Sequence, residues 1–218
     1  MTFPRDRPIV CLITSGISTS ANFSDTSANI LELVALAASN DLSLVQIREN
    51  QLDGRLLFDL VSRAVSITKG SATRLLVNGR TDIAIAAGAD GVHLPSDAYP
   101  PIVVREMAGK DFLIGVSTHS NEEISAAEKG GADYVFFGPI FDTPGKSPSI
   151  GMEALKQSAE RFPAIPILGL GGIDKTNFCE VLASGAAGFA AIRYFNDKDN
   201  LAGITSLIGD CKKDNVKW

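Results

Sequence analysis

At 218 residues the chain has enough material for one large α/β domain and too little for two, and a hydrophobic fraction of 45% excludes a disordered or fibrous protein. Twenty basic residues against 25 acidic ones give a net charge of −5, which argues against the basic face of a nucleic-acid binder and points to a small-molecule ligand. The N-terminus Met-Thr-Phe-Pro-Arg-Asp-Arg-Pro lacks the apolar segment of a signal peptide, and the apolar runs fall short of the roughly 18 residues of a membrane span, so a cytoplasmic protein without a membrane partner is expected.

Short β-branched runs alternate with helical patterns along the whole chain. The sequence predicts strands over 9–14, 42–48, 74–78, 91–95, 112–118, 133–138, 165–169 and 188–193. Helical stretches fall between them at 27–39, 56–68, 82–88, 121–130, 152–161 and 175–184, with 201–211 following the last strand. Each helix must return the chain to the same edge, which makes the strands parallel. Eight such units in this length fit one α/β domain over 1–218, a single (β/α)8 TIM barrel. The cysteines Cys11, Cys179 and Cys211 are odd in number and lack metal-ligand spacing, so free thiols and no metal site are expected.

Strand parity then sorts residues by face. Gln46 and Arg48 alternate with Val45 and Ile47, and a polar residue in a buried strand belongs inside the barrel rather than under the helices. An arginine at a strand end needs an anionic partner, which is Glu49, another barrel carboxylate or the ligand. The same parity sets His93 opposite Val92 and Leu94, where it reads as structural, and pairs Ser117 with His119 nearer the mouth. His119 is either a hydrogen-bonded structural residue or a proton shuttle. Its place beside Ser117 and one strand from Lys146 favours catalysis. The loop rich in Pro, Gly and Thr that holds Thr143 and Lys146 reads as one that closes over a barrel mouth, although Lys146 read alone is an ordinary exposed lysine. Gly171 and Gly172 end the seventh strand, with Asp174 expected to cap the next helix, and Ile192-Arg193 end the eighth. Loops at these places bind phosphate through backbone amides; the alternative is tight strand-helix packing.

Six segments together carry a family resemblance: Gln46-Ile-Arg48-Glu49, Asn78-Gly-Arg-Thr-Asp-Ile-Ala, Ala89-Asp-Gly-Val-His-Leu-Pro, Gly115-Val-Ser-Thr-His, Gly130 to Lys146, and Gly169-Leu-Gly-Gly-Ile. In order and spacing they resemble the thiamine phosphate synthase/TenI family over roughly residues 8–195. The resemblance implies one of two activities. Synthases join an aminopyrimidine diphosphate to a thiazole phosphate with Mg²⁺, and usually carry a lysine where this chain has Asn50, an aspartate where it has Gly79, and Gly-Gln-x-Asp where it has Pro95-Ser96-Asp97-Ala98. The TenI branch resembles the Asn78-Gly-Arg, Leu94-Pro95-Ser96 and His119-Ser segments closely. It implies a thiazole tautomerase that aromatises a carboxythiazole phosphate without metal, so that no cofactor is expected unless the chain is a synthase.

On that reading His119 is the acid/base, Lys146, Thr143 and Ser117 orient the substrate or steady its charge, and Gly171, Gly172, Ile192 and Arg193 hold the phosphate. Gln46, Arg48 and Asn78 complete the substrate site. A third reading is a non-catalytic barrel that binds thiazole or thiamine phosphates as a regulator. Apolar residues on the outer helices leave room for a homo-oligomer.

Overall fold

The protein is described by a computed structural model that covers residue 3, residues 6–143, residue 145 and residues 148–213, with residues 212 and 213 described by their backbone alone. Strands β1 (Ile9–Ile13), β2 (Leu44–Ile47), β3 (Arg74–Asn78), β4 (Gly91–Leu94), β5 (Leu113–Thr118), β6 (Tyr134–Phe137), β7 (Ile167–Leu170) and β8 (Gly188–Ala191) close into a parallel barrel in sequence order. The helices that wrap it are α1 (Phe23–Ser39), α2 (Gly54–Thr68), α3 (Thr81–Ala87), α4 (Pro101–Ala108), α5 (Asn121–Lys129), α6 (Met152–Arg161), α7 (Phe178–Ala183), α8 (Lys198–Ala202) and α9 (Ile204–Lys213).

Alternation along each strand produces two cores. Val10, Leu12, Val45, Ile47, Leu75, Val77, Val135 and Phe189 point outward into the main helix-sheet core. Ile9, Cys11, Ile13, Leu44, Leu76, Leu113, Tyr134, Phe136, Leu168 and Ala190 fill the barrel interior. Gln46, Asn78, His93 and Ser117 continue the inward rows of β2 to β5, as period-2 geometry requires. The mouth at the C-terminal strand ends is therefore polar and the interior beneath it is plugged.

Several expectations about the elements and cysteines change. Helix α4 is additional: Pro101 at its first turn is a helix-start signal, but the β-branched Ile102-Val103-Val104 that follows masks the pattern. Helix α1 begins four residues earlier than 27. The C-terminal stretch divides at Gly203 into two helices. Cys179 and Cys211 are not free thiols but form a disulfide, because α7 and α9 bring their Cα atoms to 5.5 Å. Cys11 is free and sealed in the barrel, where burial pushes its thiol pKa up and makes it inert.

Candidate active site at the barrel mouth

His119 stands just past β5. Its ring Nδ1 lies 2.6 Å from the Gly138 carbonyl oxygen at the end of β6. A carbonyl only accepts, so Nδ1 carries the proton, and in the neutral ring Nε2 keeps its lone pair. The backbone at this corner is fixed as well. Ser120 caps α5 by accepting from the Glu123 amide, and the Glu123 carboxylate accepts the His119 amide at 2.5 Å. The residue is exposed just past the C-terminal end of β5, and no hydrogen bond engages Nε2 among the described residues.

Ser117, two residues earlier on the same row, does not bond to His119. Its hydroxyl sits 2.9 Å from Nε2 of His93, whose Nδ1 is 3.1 Å from the Tyr134 hydroxyl. Burial lowers the His93 pKa to about 3, so this ring is neutral. Sequence parity placed His93 inside the barrel but gave no sign that it holds Ser117. Tyr134 was missed altogether, although its parity with Phe136 marks it as inward-facing.

Across the barrel, Gln46 donates from Nε2 to Asn78 Oδ1 at 2.8 Å, and Asn78 donates to Asn50 Oδ1 at 3.0 Å. Gln46 is buried, yet its Oε1 has no hydrogen-bond partner among the described residues. Such an atom normally has a mate, so a ligand or solvent donor is implied. Arg48 extends the same row, and its guanidinium lies against Gly16, where a Cβ would approach Nη1 to 2.9 Å. Glu49 is not its partner. The Glu49 carboxylate is buried and accepts the Gly16 and Ser18 amides at 3.1 and 2.8 Å, shaping the β1–α1 loop. No ion pair engages Arg48 among the described residues, which leaves the ligand as its remaining sequence-stated partner.

Gly171 and Gly172 adopt φ of 103° and 67°, which favour glycine. A Cβ on Gly171 would fall 2.6 Å from Pro139 Cα, and one on Gly172 would fall 2.7 Å from Phe141 Cβ. The packing role is thus present, since the loop after β6 passes directly over them. Their amides donate to no acceptor among the described residues and remain available to an anion. The expected helix start does not follow. Asp174 instead closes a local turn onto Thr176, and α7 begins only at Phe178. The two Thr176 hydrogen bonds, then the Lys175 and Arg193 charges, lower the Asp174 pKa.

Exposed Arg193 follows the end of β8, next to half-buried Ile192. Register pairs Leu170 with Ala190, so the two strand ends emerge side by side. Thr143 spends its hydroxyl on the Phe141 carbonyl within its own loop. Lys146 lies outside the described residues.

The cavity in front of β2 and β3 has a volume of about 290 Å³ and is lined by Glu49, Asn50, Asn78, Gly79, Arg80 and Pro95 among others. This is where a synthase-type Mg²⁺ would need oxygen ligands. Gly79 and Ala98 have no side-chain oxygen to offer, Asn78 Oδ1 is engaged by Gln46, the Glu49 carboxylate is held by the Gly16 and Ser18 amides, and Asp97 is exposed on the following loop. Among the described residues no cluster of three or more His, Cys, Asp or Glu is placed to hold a metal. The donor set does not fit a resident Mg²⁺, which prefers one or two carboxylates in octahedral geometry.

The comparisons with known proteins agree with one another. The family described as thiamine monophosphate synthase matches residues 12–195. A thiamine-phosphate synthase from Caldanaerobacter subterraneus subsp. tengcongensis is 36% identical over 188 residues, 85% of this chain and 87% of its own length. One from Chlorobium phaeovibrioides is 38% identical over 195 residues, 88% of each chain. The solved thiamine phosphate pyrophosphorylase from Pyrococcus furiosus superposes with a TM-score of 0.78 at 27% identity, covering 95% of this chain and 98% of that one. No described helix is long and apolar enough to cross a membrane. A barrel closed in sequence order, a polar mouth built from the Gln46, Asn78, His119 and Gly171 segments, and matched relatives over most of its length place the chain in the thiamine monophosphate synthase/TenI family.

Proposed function

We propose that the protein is a TenI-like thiazole tautomerase, which aromatises a carboxythiazole phosphate by moving a proton. The observation that carries this reading is His119: its Nδ1–H is fixed on the Gly138 carbonyl, and its Nε2 is open at the mouth as a base that can return the proton as an acid. A prototropic shift needs one such shuttle and an anchored substrate. The Gly171 and Gly172 amides with Arg193 supply the phosphate anchor after β7 and β8. The Arg48 guanidinium and Gln46 Oε1, both without a partner among the described residues, meet the rest of the polar substrate.

The names of the relatives favour a second reading, the Mg²⁺-dependent coupling of an aminopyrimidine diphosphate with a thiazole phosphate. The loss of carboxylates at Gly79 and Ala98 weighs against it here. One preparation assayed for both reactions separates the two. Tautomerisation that His119→Ala abolishes supports the proposal. Metal-dependent coupling without tautomerisation would sink it, and tight thiazole phosphate binding with neither turnover would return the regulator reading.

A further inference from the structure

Inside the barrel, β6, β4 and β5 line up three polar groups: the Tyr134 hydroxyl, the His93 imidazole and the Ser117 hydroxyl. Tyr134 and His93 are fully buried, and Ser117, one residue before the end of β5, is partly buried. The chain is built into the packing. His93 stacks on Phe136 with ring centroids 4.1 Å apart, and Tyr134 meets Phe3 edge-on at 6.0 Å. Gly115 makes room for it: a Cβ there would fall 2.2 Å from Tyr134 Cζ and 2.6 Å from His93 Nδ1.

Hydrogen-bond accounting gives the chain a direction. The Tyr134 hydroxyl proton has one acceptor among the described residues, Nδ1 of His93. The nearby Cys11 sulfur directs its own proton to the Leu12 carbonyl and does not bond the phenol. If Nδ1 carried the imidazole proton, the phenol proton would be buried without a mate, which native structures avoid. If Tyr134 donates to Nδ1, the neutral ring has its proton on Nε2, which donates to Ser117 Oγ, and every buried group is satisfied.

We infer that the Tyr134–His93 pair fixes Ser117 as a hydrogen-bond donor aimed into the mouth, where it stabilises negative charge developing on the substrate while His119 moves the proton. No proton passes along the chain; its role is to set the direction of the Ser117 hydroxyl. Tyr134 and His93 are positioning residues, and Ser117 is the group that touches substrate. Ser117 and His119 lie two residues apart on one row, on the order of 7 Å, which spans a small ring. Burial keeps His93 neutral and pushes the Tyr134 phenol well above its usual pKa, so the arrangement holds across the neutral range.

The kinetic part of this inference rests on the tautomerase reading; the direction of the chain does not. The chain has two histidines, so nitrogen-15 histidine labelling of the full protein, with His119→Asn for assignment, reads His93 directly. The expected signal is protonated Nε2 and bare Nδ1, unchanged between about pH 5 and 8, with that preference lost in Tyr134→Phe. A protonated Nδ1 in the wild type would overturn the inference whatever the activity.

Kinetically, Ser117→Ala lowers kcat by ~10²-fold, as loss of one oxyanion donor does, and Tyr134→Phe lowers it by ~3–10-fold with KM unchanged. His93→Gln, whose amide oxygen accepts and whose nitrogen donates, keeps kcat within about 3-fold, while His93→Leu behaves like Ser117→Ala. Equal kcat in wild type, Tyr134→Phe and His93→Leu would also overturn it. The expected tautomer in a protein with no tautomerase turnover would refute the proposed function while leaving the direction of the chain intact.

Discussion

The two ends of the barrel handle polar groups in opposite ways. At the N-terminal end, the residue just before each of β2, β4 and β6 accepts an amide from the preceding strand: Ser43 from Val10, Asp90 from Leu75, and Asp133 from Ile114. Arg74 pairs with Asp90 at 3.0 Å and Arg105 with Asp133 at 2.7 Å, and Arg105 spends its remaining donors on the Gly109, Lys110, Phe112 and Gly131 carbonyls. Among the described residues no buried side-chain polar atom is left without a partner there.

At the mouth, among the described residues, Gln46 Oε1 and Ser18 Oγ are buried and unpaired, and no carboxylate pairs with Arg48. The Gly171 and Gly172 amides and His119 Nε2 are also uncommitted among the described residues. Groups satisfied within the chain hold the fold, whereas groups left unsatisfied have a ligand to meet.

The largest effect that would break this contrast is on rate. His119→Ala should lower tautomerase kcat by ~10²–10⁴-fold while thermal unfolding stays close to wild type, because the exposed ring contributes one hydrogen bond to the fold. At the opposite end the signs reverse. Asp133→Ala removes the acceptor of the Ile114 amide and leaves a partly buried Arg105 unpaired, which should cost about 3 kcal/mol in denaturant unfolding with kcat unchanged in the folded fraction. Arg48→Ala sharpens the comparison from the mouth side. It should weaken substrate binding by roughly 10–100-fold, the worth of a charge-assisted hydrogen bond, without lowering the unfolding midpoint. A large stability loss would mean that Arg48 has a structural partner and that the mouth is not reserved for ligand.

Most of the barrel was legible because every strand is a short apolar run between turn residues, and period-2 parity assigned Gln46, His93 and Ser117 to the interior without coordinates. What stayed hidden depends on contacts between distant segments. Whether Glu49 faces Arg48 or the β1–α1 loop is decided by where the Gly16 and Ser18 amides come to lie, 33 and 31 positions away. The Cys179–Cys211 pairing depends on α9 packing beside α7, and spacing alone did not reveal it. His93 and Ser117 sit on adjacent strands in a register that the sequence does not print.

The smallest effect concerns pH, and it tests whether the plugged interior beneath the mouth belongs with the satisfied end. His93 is buried and neutral with its pKa lowered to about 3, while in the unfolded chain it titrates near ~6.5. Between those values the unfolded state binds a proton that the native state refuses. Stability is therefore undiminished above about pH 6.5 and falls as pH drops through the window toward 3, by up to roughly 1.4 kcal/mol per unit. His93→Gln keeps both hydrogen bonds and cannot titrate, so its unfolding free energy should fall less steeply with acid than the wild type's over the same range. Parallel slopes for the two proteins would mean that His93 accepts its proton in the native state, and the interior would then have to be reclassified with the open, ligand-facing mouth.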